Sequence, residues 1–338
     1  MGWFTNYSPI PKDFWTGRVD DIKDPDSYRW HQKVELLNLR DINVDLNLKE
    51  QKAFCIVGFS CDKGVENNLG RTGTALGPFS IRKELANLPD IFGSDARLFD
   101  AGNIHCLDGN LENVQRALSQ ITKNILDLGI MPIVLGGGHE IAFGHYNGIK
   151  SHLDKDLKVS LNNPGIINFD AHFDLRPYEN GATSGTMFRQ IADQCAADGR
   201  EFSYFAMGIQ RYGNTKSLFK IADTLKAEYI LAKDIYEANW GNITGKLDLF
   251  IERHKHIYLT VCSDVFSSAF APGVSAPQPF GLNPDIVMRI MKYIIRTKKV
   301  ISLDIAEVSP RFDEDNQTAK LASVLIYGLL NTILHDDK

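Results

Sequence analysis

Apolar residues recur along this chain with two spacings that alternate. Within 110–128, Val114, Leu118, Ile121, Ile125 and Leu128 fall three or four residues apart, the period of one helix face. Short, nearly continuous apolar runs at 53–59, at 131–135, from Ile166, and at 202–207, 229–231, 257–261 and 300–305 read instead as strands buried on both faces. Helical spacing over 78–88, 141–153, 185–199, 215–225, 243–253, 284–296 and 318–334 separates them, with Pro78 near the start of the first. Residues 60–77, rich in Gly and Asn, read as a long loop. Strands alternating with helices predict an α/β class with a central parallel sheet covered on both faces. No Pro/Ser-rich linker interrupts the beat, so one α/β domain over 51–338 is expected. Residues 1–50 are polar and weakly periodic, and predict an arm packed on that domain through Trp15, Trp30, Leu36 and Leu37.

Three of the apolar runs end in side chains that bind metals. The run from Ile166 leads into Asp170-Ala-His172-Phe-Asp174. If the strand continues, alternation places all three polar side chains on one face. Two carboxylates and an imidazole suit a hard or borderline divalent ion such as Mn²⁺. The second run feeds Gly136-Gly137-Gly138-His139-Glu140, and the third feeds Cys262-Ser263-Asp264. In open parallel sheets, sites form at the C-terminal ends of strands. Cys262 is a soft thiol in a set of hard oxygens, which moves the preference toward Zn²⁺. Two residues apart on a strand end, Cys262 and Asp264 are expected to share a face, with the sulfur toward the pocket.

Composition narrows the partners. The chain has 338 residues, of which 43% are hydrophobic and 23% charged, an ordinary globular balance. Its formal net charge of −5 supplies no basic field for nucleic acid or an anionic membrane. No apolar run reaches the ~20 residues that span a bilayer. The start, Met-Gly-Trp-Phe-Thr-Asn6, has neither a basic-then-apolar secretory pattern nor the hydroxyl at position 6 that myristoylation uses. Cys55, Cys61, Cys106, Cys195 and Cys262 are odd in number and scattered, and read as reduced thiols of a cytoplasmic protein.

Gly-Gly-Gly-His139, Asp170-Ala-His172-Phe-Asp174 and Asp264 followed by Ala-Phe-Ala-Pro-Gly273 resemble the three signatures of the ureohydrolases, the superfamily of arginases, agmatinases and formimidoylglutamases. The likeness covers roughly residues 53–335. Trp15-Thr-Gly-Arg18-Val-Asp20-Asp21, Arg29-Trp30-His31-Gln32, Asn68-Leu-Gly-Arg71-Thr-Gly73, Ser184-Gly185-Thr186 and Ala271-Pro-Gly-Val-Ser-Ala-Pro277 resemble the formimidoylglutamase branch. Arginases carry a histidine near 184–187; this chain has none there. The resemblance implies a three-layer α/β/α arginase-like fold and a two-manganese centre that activates water for attack on an amidine carbon. It implies that His139 and Asp174 hold one ion, that His172 and Asp264 hold the other, and that Asp170 bridges. It also implies a second bridging aspartate where Cys262 stands, in a register anchored by Ala271-Pro272-Gly273. Three outcomes stay open: one Mn²⁺ site is weak or absent, Zn²⁺ replaces manganese, or Cys262 points away and the centre works with fewer ligands.

By the same resemblance Asp174 shuttles the proton, and Glu307 contacts the cationic nitrogen end of the substrate. Arg71, Arg176 and Arg211 offer forked donors to substrate carboxylates. The expected activity is hydrolysis of N-formimidoyl-L-glutamate to L-glutamate and formamide, in histidine degradation. Two alternatives stay open: agmatine or guanidino-acid hydrolysis, and a non-catalytic binding protein whose metal site Cys262 has impaired. The expected partner is a small molecule, with neither nucleic acid nor membrane, and the resemblance implies a homo-oligomer, a trimer or hexamer.

Overall fold

Every apolar run read as a strand pairs into one ten-stranded sheet. The computed structural model describes residues 3–11, 13–41, 46–48, 51–155 and 163–335. In chain order the strands are β1 (Tyr7–Ser8), β2 (Glu35–Leu36), β3 (Lys52–Ser60), β4 (Ala96–His105) and β5 (Met131–Leu135). They continue with β6 (Gly165–Phe169), β7 (Tyr204–Ile209), β8 (Glu228–Leu231), β9 (Ile257–Cys262) and β10 (Val300–Ala306). The helices are α1 (Trp30–Lys33), α2 (Lys63–Asn67), α3 (Gly77–Ala86), α4 (Leu111–Asp127), α5 (Ile141–Leu153) and α6 (Met187–Ala197). Then come α7 (Lys216–Thr224), α8 (Ala232–Glu237), α9 (Trp240–Glu252), α10 (Pro284–Arg296) and α11 (Gln317–His335). Strand order is β1-β4-β3-β5-β10-β9-β6-β7-β8, with β2 also beside β4. The pairings are parallel except for β1 on β4, so the expected parallel sheet carries one short antiparallel edge strand.

Strand alternation builds the three layers. On β9, Ile257, Leu259 and Val261 pack toward α9, α10 and α11, while Tyr258 packs toward α5, α6 and α7. Helix ends follow local chemistry. Asn110 caps α4 by accepting from the Asn113 amide at 3.1 Å, and Leu111, Val114, Leu118, Ile121 and Ile125 are all buried beneath it. Each such side chain contributes ~1.5–3 kcal/mol by leaving water. Asn283 caps α10, with Pro284 in its first turn. Among the described residues, no helix is long and apolar enough to cross a membrane.

Three local readings change. Residues 60–77 are not one loop: they hold α2 and a 3₁₀ turn, Thr74–Leu76. The Gly64 amide, at the start of α2, donates to Glu140 Oε1 at 2.8 Å, a long-range bond that local sequence does not reveal. Strand β4 went unpredicted because Arg97, Asp100, Gly102 and Asn103 break its apolar run. Leu36 is 42% exposed, whereas Trp15, Trp30 and Leu37 are buried.

The polar residues of β4 are satisfied internally. Arg82, fully buried on α3, meets Asp100 through Nε–Oδ2 at 2.8 Å and Nη2–Oδ1 at 2.9 Å. Its Nη1 reaches Asn103 Oδ1 at 2.7 Å, and Trp15 Nε1 donates to Asp100 Oδ2 at 2.7 Å. Helix, sheet and arm therefore share one buried ion pair. Removing one partner strands the other charge, so Arg82→Leu is expected to cost about 3–5 kcal/mol in urea unfolding. Pairing it with Asp100→Leu should cost less than the sum of the two single changes. Additive losses would mean that the pair does not couple.

Candidate metal centre

The sequence-predicted site residues come from four neighbouring strand ends. In the order β5, β10, β9, β6 these carry His139, Glu307, Cys262 with Asp264, and the segment Asp170–Asp174. The Gly136–Gly138 turn has to be glycine for reasons of space: a Cβ on Gly137 would sit 1.8 Å from the Cys61 carbonyl oxygen. Its amides donate to Ile305 O (2.7 Å), Phe59 O (2.8 Å) and Cys61 O (3.0 Å), so the turn is tied to both neighbouring strands. The His139 amide then donates to Glu307 Oε1 at 2.9 Å, and the Glu307 amide to Gly137 O at 2.8 Å.

Convergence after β6 does not come from strand alternation. The strand stops at Phe169, and Asp174 adopts φ +50°. Likewise Cys262 ends β9, and Asp264 lies in a 3₁₀ turn, Ser263–Val265, so the two share a pocket without sharing a strand face. Glu307 has φ +67°. Left-handed backbone at two non-glycine residues costs roughly 1–3 kcal/mol each and persists where surroundings impose it. Here Asn214 contributes: its side chain accepts from the Phe173 amide at 3.0 Å and donates to Ala171 O at 2.9 Å.

The ligand-type atoms form two groups that share Asp170. His139, Asp170 and Cys262 offer atoms within 4.8 Å of one another, and so do Asp170, His172 and Asp264. His139 Nδ1 lies 3.0 Å from Asp170 Oδ2 and 3.1 Å from Asp174 Oδ2. His172 Nδ1 lies 3.0 Å from Asp264 Oδ2 and 3.5 Å from Asp170 Oδ1. A cavity of about 100 Å³ is lined by His139, His172, Asp174, Cys262 and Asp264 together with Asn68, Arg176, Ser184, Ser275 and Glu307.

Electrostatics mark the pocket as cation-seeking. Burial alone would lower the two imidazole pKa values, but the carboxylates against them win and hold both well above the usual histidine range. Asp170 is pulled down against its own burial by the two histidines. Burial and the charge of Asp170 raise Asp174 to about 6. Burial also raises Asp264, Cys262 and Glu307, each facing other carboxylates. Asp264 Oδ1 and Glu307 Oε2 are buried with no hydrogen-bond partner, where an unmet acceptor costs about 1–3 kcal/mol. Oxygen, imidazole and thiol donors with unmet acceptors, gathered around a shared carboxylate, fit a pair of divalent ions.

The three arginines separate. Arg176 lines the cavity, is exposed, and has no side-chain partner among the described residues. Arg71 does not line it: its guanidinium donates to Ser275 O (3.0 Å) and Val274 O (2.6 Å) and lies over the Phe312 ring. Arg211 lines a different cavity of about 670 Å³, together with Tyr212, Tyr236, Phe270 and Phe280. Asn68, Ser184 and Ser275 were not singled out as site residues from sequence, because uncharged loop side chains carry no ligand signature.

With folded pKa values above the unfolded ~6.5, the two histidines stabilise the metal-free chain fully below about pH 6.5. That contribution is lost as pH rises through their folded values. The metal-free melting temperature should therefore fall from about pH 6.5 into the alkaline range, and His172→Asn should flatten the slope. An unchanged slope by differential scanning calorimetry would count against these ion pairs.

Comparison with known proteins gives the family. The family model described as "Arginase family" matches residues 52–331. The chain is 52% identical to a formimidoylglutamase of Clostridium tetani over 330 residues, covering 97% of this chain and 96% of that one. It is 42% identical to a formimidoylglutamase of Geobacillus thermodenitrificans, covering 97% of each. The crystal structure of the Bacillus subtilis formimidoylglutamase superposes with TM-score 0.78 at 22% identity, covering 95% of this chain and 96% of that one. A Trypanosoma cruzi formiminoglutamase structure with Mn²⁺ superposes with TM-score 0.75 at 22% identity, covering 88% and 98%. With glycine turn, histidines and carboxylates gathered at the strand ends of a matching fold, and relatives above 40% identity along almost all of its length, the chain belongs to the arginase family.

Proposed function

We propose that this chain is a metal-dependent hydrolase that cleaves the C–N bond of N-formimidoyl-L-glutamate, giving L-glutamate and formamide. The observation that carries the reading is the pair of ligand groups sharing Asp170, beside a cavity with Arg176 at its rim. The names of the relatives support the substrate. His139 and Asp174 would hold one ion, His172 and Asp264 the other, with Asp170 between them and Cys262 offering sulfur on the His139 side. The manganese in the T. cruzi relative favours Mn²⁺. Bound there, the ions would supply the Lewis acidity that makes water a nucleophile near neutral pH.

The chain's own groups then do the rest. Asp174 accepts the proton of the attacking water. Glu307 meets the cationic nitrogens, its Oε1 anchored on the His139 amide and its Oε2 unpartnered. Water oxygen bonds to the formimidoyl carbon, the bond to the glutamate nitrogen breaks, and that nitrogen leaves with a proton. Arg176, with the hydroxyls of Ser184 and Ser275 and the amide of Asn68, receives the substrate carboxylates. Asn68 Oδ1 accepts from Thr183 Oγ1 at 3.2 Å, which leaves its NH₂ group for ligand. Residues 51–338 are the ureohydrolase domain in this reading and 1–50 its arm. It includes a cytoplasmic setting in histidine degradation and a trimeric or hexameric assembly.

A substrate panel on Mn²⁺-loaded protein tests the activity. Formamide released from formimidoylglutamate is expected; urea from agmatine or a guanidino acid would shift the assignment, and no product from any substrate would favour a binding protein. Arg176→Ala should lower kcat/KM for formimidoylglutamate by roughly 10–100-fold, the worth of one charged hydrogen-bonded contact. An unchanged value removes Arg176 from the substrate site.

Cys262 sets the metal preference. Where a carboxylate would bridge with two hard oxygens, a buried thiol offers one soft donor, which weakens one Mn²⁺ and favours zinc there. Cys262→Asp should raise manganese stoichiometry toward two per chain and tighten the weaker ion by at least ~10-fold. Two tightly held Mn²⁺ in the unaltered chain, with no gain in the variant, would show that the thiol does not impair the site.

A further inference from the structure

A sealed column of polar side chains runs from His139 down into the interface between the sheet and α5. Cross-strand register builds it: Ser302 stands beside Tyr258 and Asp304 beside Thr260, and one step nearer the site Ala306 stands beside Cys262. Thr260, Asp304, Ser302 and His145 of α5 are fully buried. Thr260 Oγ1 lies 2.6 Å from Asp304 Oδ1 and 3.0 Å from His139 Nε2. Asp304 Oδ2 takes His145 Nδ1 at 2.6 Å and also the Tyr258 hydroxyl.

Counting protons gives the column a direction. A threonine hydroxyl has one proton to donate, and a carboxylate has none. Thr260 therefore donates to Asp304, and its oxygen is left to accept from His139. Nε2 of His139 must carry a proton, so Nδ1 is the nitrogen that can ligate, and Nδ1 is the one facing Asp170 and Asp174. A buried carboxylate–imidazole pair adds little net stability over apolar packing, so stability alone does not account for the column. A partner that fixes the tautomer and rotation of a ligating imidazole does.

We infer that Asp304 is a positioning residue: through Thr260 it holds the His139 ring so that Nδ1 is presented to a divalent ion, while His145 and Tyr258 hold Asp304 itself. This rests on the metal-centre reading above. Asp304 does not touch the reacting atoms.

Thr260→Val keeps the shape and removes the acceptor, and Thr260→Ser restores it. Mn²⁺ binding to metal-stripped full-length chain can be followed by the electron paramagnetic resonance of free Mn²⁺, beside thermal melts of the metal-free proteins. Thr260→Val should bind the ion on the His139 side ~10–100-fold more weakly, and Thr260→Ser should bind it within about threefold of the unaltered chain. The metal-free melting temperature of Thr260→Val should stay close to that of the unaltered chain. Asp304→Asn gives a second reading if Thr260→Val does not fold. Its NH₂ group faces either Thr260 or the His145–Tyr258 pair, donor against donor, so affinity should again fall. Unaltered Mn²⁺ affinity in Thr260→Val, or equal losses in the valine and serine variants, overturns the inference. If the unaltered chain takes up no Mn²⁺, the metal-centre reading fails and this inference with it; uptake by the unaltered chain with an indifferent Thr260→Val removes this inference alone.

Discussion

Asp170, Asp174, Asp264 and Glu307 bring four carboxyl groups to the ends of β6, β9 and β10, and all four are buried. Two unit charges at 4 Å interact by about 4 kcal/mol at an effective dielectric of 20. The chain's own counter-charges among them are two imidazoles, with Arg176 at the rim. Much of the surrounding architecture makes sense as what is needed to hold this repulsion in place. A glycine turn is bound to both neighbouring strands, Asp174 and Glu307 are held at positive φ, and Asn214 grips the peptides on either side of His172.

Another buried charge, Asp100 with Arg82, shows the contrast. There a bidentate guanidinium sits on the carboxylate, further donors complete it, and the result ties the arm, α3 and β4 together. A buried carboxylate that the chain neutralises with arginine is architecture. Carboxylates gathered around imidazoles and a thiol, with acceptors unmet, are arranged for an ion from outside.

Residues that look alike on paper spend their donors differently. Arg71 and Arg176 have the same donors, yet Arg71 spends them on the backbone of Val274 and Ser275, shaping the wall on which the Ser275 side chain stands. Arg176 keeps its donors free at the cavity rim. The polar residues inside β9 and β10 likewise read as interruptions in apolar runs until register sets Thr260 beside Asp304 beneath His139.

The chain by itself determined the alternation of strands and helices, the strand ends where ligand-type side chains cluster, and His139, Asp170, His172, Asp174, Cys262 and Asp264 as the candidate ligands. These are legible because periodicity and ligand chemistry are local properties. It misread β4, whose Asp100 and Asn103 find their partner on a helix nearly twenty residues earlier in the chain. It also gave the wrong cause for the ligands' convergence. A two-residue spacing predicted a shared strand face, but the strands end first, and the side chains meet because left-handed and 3₁₀ backbone turns them inward. Which arginine faces the cavity, and which hydroxyl orients His139, was decided only by tertiary structure. Those roles depend on what lies across the sheet, and hydrogen-bond partners more than a hundred residues away leave no pattern in the neighbouring sequence.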